Sequence, residues 1–73
     1  MKLQDIKAGD RITVRGTGYL SNYVRRYIVK RITDTRIIAR IDSPIAVVDT
    51  KFRRSDGCRL PLDRHLNWYI ETD

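Results

Sequence analysis

A chain of 73 residues holds one domain and buries only about 60% of the surface its unfolded form exposes, which excludes a multi-domain enzyme and leaves a thin core. Lys and Arg number 15 against 9 Asp and Glu, a net charge of +6, and 11 of those 15 are Arg, suited to bidentate phosphate or carboxylate contacts. One Cys and one His exclude an intrachain disulfide and give no metal-ligand spacing, so no cofactor is expected.

In chain order, Met1–Gly9 lacks the apolar stretch of a secretory signal, and Leu3 and Ile6 either form a helical turn or cover a barrel end. Ala8-Gly9-Asp10 is a turn, and Arg11–Arg15 alternates as a strand with Ile12 and Val14 inward. Gly16-Thr17-Gly18 ends that strand and opens a loop to about Asn22; it lacks the spacing of a phosphate-binding glycine loop. Leu20–Ile32 fits a helical template at Leu20, Tyr23, Val24, Tyr27 and Ile28, yet its β-branched and aromatic residues favour a strand over 23–32. In either form Asn22, Arg25, Arg26 and Lys30 make a basic face. Thr33-Asp34 turns the chain, and Thr35–Ile41 sets Ile37, Ala39 and Ile41 on one face against Arg36, Ile38 and Arg40. Asp42-Ser43-Pro44 is a further turn before a strand over Ile45–Arg54.

Asp56-Gly57 marks a hairpin. A two-residue turn would oppose Arg53 to Leu60. A three-residue loop, Ser55-Asp56-Gly57 with Gly57 left-handed, pairs Arg54 with Cys58 and Phe52 with Leu60, and gathers Val48, Thr50, Phe52, Cys58, Leu60 and Leu62 on one face. The hydrophobic pattern selects the second. Lys51, Arg53 and Arg59 then line the solvent side, with Arg53 across from Arg59, a like-charge opposition that an anion would relieve. Cys58 reads as a small core hydrophobe. Asp63 caps a short turn through His65–Asn67, and Trp68–Glu71 is a last short strand. Trp68 is a core lid in preference to a stacking platform.

Residues 7–14, with Gly9, Asp10, Ile12 and Val14, resemble the opening of SH3-like barrels, including the KOW-type domains of ribosome and transcription factors; the later glycine of that family is replaced in the region of Asn22-Tyr23. Ile32-Thr33-x-Thr35-x-Ile37 followed by Lys51-Phe52-Arg53-Arg54-x-Asp56-Gly57 is similar to small bacteriophage proteins that look like compact β-barrels. That resemblance spans about residues 28–60. It implies a phage accessory protein acting in the host cytoplasm and carries over no functional residue.

Asp63 and His65 are the only candidate acid–base pair, without a nucleophile, so no enzyme is expected. No apolar run is long enough to cross a bilayer, and a soluble cytoplasmic protein without a membrane partner is expected. The fold expected is all-β: a small five-stranded SH3-like barrel or strongly bent antiparallel sheet. The function expected is non-enzymatic binding of a DNA or RNA backbone. Its contacts are Lys51, Arg53 and Arg59, helped by Arg25, Arg26, Lys30 and Arg31, with Tyr19 and Tyr23 for base stacking. The alternative partner is an acidic host-protein surface; a structural subunit is a third reading. The expected state is a monomer or small homo-oligomer.

Overall fold

The computed structural model describes residues 2–18, 22–60 and 66–72. A 3₁₀ turn at Leu3–Asp5 precedes β1 (Arg11–Gly18), β2 (Asn22–Ile32), β3 (Arg36–Ile41), β4 (Asp49–Arg53), β5 (Arg59–Leu60) and β6 (Leu66–Ile70). The strands form one antiparallel sheet in the order β5-β4-β3-β2-β1-β6. The sheet bends until its two edges meet. Cys58, just before β5, bridges Tyr69 of β6, and the Ile70 N–H donates to the Gly57 carbonyl at 2.9 Å. The result is a nearly closed barrel, a shape that leaves little strand edge free to pair with another chain. Among the described residues the strands number six, a correction to the five expected, because Leu66–Ile70 pairs along β1 as a full member of the sheet.

The core follows the two-residue period. Ile12 and Val14 of β1, Tyr27 and Val29 of β2, Ile37 and Ala39 of β3, Phe52 of β4, and Trp68 and Ile70 of β6 form one buried cluster. Ile6 enters it directly behind the 3₁₀ turn, so the lead-in is both a helical turn and a plug for one end. The Tyr27 and Phe52 rings meet edge to face at 5.4 Å. A bulge interrupts β2: Val29 pairs with Ala39 and Arg31 with Ile38, leaving Lys30 as the extra residue. The slip lets both Val29 and Ile32 pack on the core while Lys30 and Arg31 stay exposed.

The strand reading of 23–32 holds, as do the turns at Gly9 and Thr33-Asp34 and the face assignment of β1 and β3. Three further expectations are corrected. β1 does not stop at Gly16 but continues to Gly18, with Gly16 paired to Tyr23 on one side and Trp68 on the other. β4 begins at Asp49, and Ile45, Val47 and Val48 before it stand 84, 81 and 72% exposed. The hairpin register is also different. The loop has four residues, 54–57, closed by Arg53 N–H to the Cys58 carbonyl and Gly57 N–H to the Arg53 carbonyl, each at 2.7 Å. Lys51 therefore opposes Leu60 and Phe52 opposes Arg59. Gly57 does take positive φ, +78°. The turn's own chemistry outweighs the hydrophobic pattern here: the Asp56 carboxylate accepts the Cys58 N–H at 3.1 Å and both arms of the Arg53 guanidinium. Tyr19, Leu62 and the Asp63–His65 pair lie outside the described residues.

Candidate nucleic-acid interface

The row Tyr23–Gly16–Trp68 runs across three adjacent strands on the core side. With no side chain at its centre, the two rings approach over Gly16, their centroids 5.9 Å apart and planes tilted by 34°. The fit leaves no space for a methyl group. A Cβ at position 16 would lie 2.7–2.9 Å from Cε3, Cζ3 and Cδ2 of the indole. Trp68 is 6% exposed and Tyr23 46%, so one ring is a floor and the other a half-open wall.

Two arginines complete the cluster. Arg25 follows Tyr23 on the same face of β2, and its guanidinium carbon lies 5.2 Å from the centroid of the Trp68 ring. Arg59, set on the core side by its pairing with Phe52, lies 5.3 Å from the same centroid. Each contact has the geometry of a cation–π pair, and one indole thereby holds two positive charges. None of the ion pairs among the described residues involves either arginine.

The remaining expected residues do not join this cluster. Arg26, opposite Thr13, and the bulge pair Lys30 and Arg31 project to the outer face with Lys51. There Arg31 and Lys51 flank Ile38, which is buried although it lies outside the core cluster; their aliphatic stems are placed to cover it. Arg53 is corrected outright. It faces Arg36 and Cys58 rather than Arg59, and its guanidinium forks onto Asp56, with Nε donating to Oδ1 at 2.9 Å and Nη2 to Oδ2. Arg53 and the Cys58 N–H hold the Asp56 carboxyl down to about 2. An arginine engaged in this way is a hairpin brace. Cys58 is half-buried on the outer face, and burial, followed by the Asp56 charge, pushes its thiol up.

Of the expected contacts, Tyr23, Arg25 and Arg59 are thus brought together, on a tryptophan read from sequence only as a lid. Gly16 was the overlooked signal, since glycine within an alternating strand marks a close approach by another group. Among the described residues no cluster of His, Cys, Asp or Glu is placed to hold a metal ion, and no helix is long and apolar enough to cross a membrane. No family model, curated protein or solved structure matches the chain.

Proposed function

We propose that the chain is a non-enzymatic binding protein for single-stranded DNA or RNA. The barrel end built by Tyr23, Arg25, Arg59 and Trp68 takes a phosphate and an adjoining base. The carrying observation is two guanidiniums on one indole beside a half-exposed tyrosine ring. Two like charges held on one ring repel by of order 1 kcal/mol at a protein surface, and a backbone phosphate that both reach reverses the sign. The open part of Tyr23 offers a base a stacking surface, worth about 1–3 kcal/mol. Arg26, Lys30, Arg31 and Lys51 on the outer face extend the positive field along which the strand continues.

The test is fluorescence anisotropy with a labelled oligonucleotide across a salt series. An Arg25→Gln/Arg59→Gln variant should lose about 1.4–1.8 from the log–log salt slope, as for two phosphate contacts. A Lys2→Gln/Lys7→Gln control should change little. Equal losses from both would mean diffuse attraction without a site, and no affinity at physiological salt would end the proposal.

A protein partner is the second reading, favoured by one observation. Ser43–Val48 carries no charge and exposes Ile45, Val47 and Val48, surface that a protein partner would bury. Nuclease-resistant, stoichiometric capture of one protein from lysate, lost in an Ile45→Ser/Val47→Ser/Val48→Ser variant that still folds, would put this reading first.

A further inference from the structure

The turns from β2 into β3 and from β4 into β5 carry a second basic feature. The two turns and the 3₁₀ segment border an open hollow of about 570 Å³. Arg36 and Arg53 are directly opposed on β3 and β4, and Arg54 follows in the hairpin loop, so three arginines line its wall. They are held in different ways. Arg53 is neutralised by Asp56. Arg54 Nη1 donates to the Thr33 carbonyl at 3.2 Å, and Arg36 Nη1 reaches the Thr35 carbonyl at 3.4 Å. A carbonyl steers a guanidinium without cancelling its charge, and each arginine keeps other N–H donors. The Arg54 N–H also donates to the Thr35 carbonyl at 3.0 Å, which ties the two turns into one wall. Asp34 is the one carboxylate among the described residues that line it.

We propose that this hollow is a phosphate-group site, taking a phosphomonoester dianion between Arg36 and Arg54. The charge of the ligand follows from the count: two guanidiniums lack a carboxylate in the ion pairs of the described residues, while the third has one. Its shape follows from the approach. Forks from a strand and from a turn reach different edges of a tetrahedral anion, whereas a planar carboxylate is met by a single fork. Arg53, braced by Asp56, keeps the wall rigid, and Thr35 and Ser55 supply hydroxyls at the rim. Asp34 opposes the anion. This site shares no residue with the Trp68 cluster and does not rest on strand binding there. The phosphate comes either free or as the 5′ terminus of a nucleic-acid strand, and the experiment separates the two.

The experiment is a titration of ¹⁵N-labelled protein at physiological salt with inorganic phosphate, and with one oligonucleotide in 5′-phosphorylated and 5′-hydroxyl forms. Saturable shifts are expected at the amides of Thr35, Arg36, Arg54 and Ser55. Arg36→Gln and Arg54→Gln should each weaken the affinity about tenfold, and Asp34→Asn should tighten it. Spectra of each variant without ligand report whether it remains folded. Shifts with free phosphate identify a free-phosphate site; shifts with the phosphorylated oligonucleotide alone identify a strand-end site. Unchanged affinity in the Gln variants, or diffuse shifts that do not saturate, overturns the proposal. The 5′-hydroxyl oligonucleotide reports on the Trp68 cluster separately, so the two sites succeed or fail on their own.

Discussion

Replacing Gly16 by alanine adds one methyl group where the Trp68 ring already lies. Its Cβ would sit 2.7–2.9 Å from three ring carbons, a separation at which something must move. Gly16 is not among the glycines with positive φ, so alanine is compatible with the backbone and would by itself stabilise by about 0.4–1 kcal/mol through the unfolded chain. Overpacking acts in the other direction, by about 1–3 kcal/mol. If the indole swings away, the two arginine contacts weaken as well, at about 0.5–1 kcal/mol each for exposed pairs. The net expectation is a loss of about 1–3 kcal/mol. Urea denaturation reads the stability, and Trp68, the only tryptophan, reads its own position through emission wavelength and near-ultraviolet circular dichroism. The variant should show a red shift, a weaker aromatic signal and reduced oligonucleotide affinity. A Gly16→Ala protein as stable as the parent, with unchanged emission, would refute the packing of the indole over Gly16 and with it the geometry of the interface.

Gly57→Val should cost about 2–4 kcal/mol, because φ is +78° and a Cβ there would meet Leu3 Cδ2 at 3.0 Å and Ile70 Cβ at 3.4 Å. Gly57→Asn should cost about 1 kcal/mol less in the same urea assay, since Asn tolerates left-handed backbone; equal costs would mean that crowding alone decides. The Asp56 carboxyl lies near 2 in the fold against 3.8 as a free group, so its ion pair stabilises fully above pH 3.8 and is lost as pH falls through about 2. The urea midpoint difference between wild type and Asp56→Asn should shrink over that window, and solvent screening keeps the full effect below about 1 kcal/mol; a difference independent of pH would contradict the pairing. Cys58, its thiol raised by burial, should react with a disulfide reagent more slowly in the native than in the urea-unfolded protein, and equal rates would place it in open solvent.

Much of the fold was legible because most strands carry their inward face as an uninterrupted alternation: Ile12 and Val14, Ile37, Ala39 and Ile41, Phe52. Each of these pairs or packs as alternation requires. The bulge at Lys30 was not legible, because Val29 and Ile32 both satisfy an apolar pattern whichever of them is taken as out of phase. The hairpin showed its turn but not its loop length. Hydrophobic matching sought an apolar partner for Phe52 and chose Leu60, whereas the register depends on the bonds Asp56 makes to Arg53 and to the Cys58 N–H. The cost of placing Arg59 opposite Phe52 is removed by Trp68, a residue of another strand. The site was half legible for the same reason. Arg25, Arg59 and Tyr23 stand out by charge and ring chemistry, but what unites them is a buried indole that a glycine on β1 leaves room for.

In the proposed function that indole gives the arginines a structural and a binding task at once. So small a barrel lacks the apolar residues to cover Trp68 completely, and Arg25 and Arg59 lie over it while their charged ends remain available to solvent. A phosphate that drew both guanidiniums off the ring would forfeit the cation–π contacts, so the favourable geometry leaves them on the indole and accepts the anion at their outer N–H groups. The cluster is then organised before the ligand arrives, and little side-chain entropy remains to be lost on binding. It follows that ligand and Trp68 should report on one another. Oligonucleotide binding should change Trp68 emission without shifting it to the wavelength of an exposed indole. Trp68→Leu should weaken binding although Trp68 itself need not touch the ligand. A Trp68→Leu protein that stays folded and binds as tightly as the parent, with the same salt slope, would show that the arginines need no indole to hold them and that the cluster is packing alone.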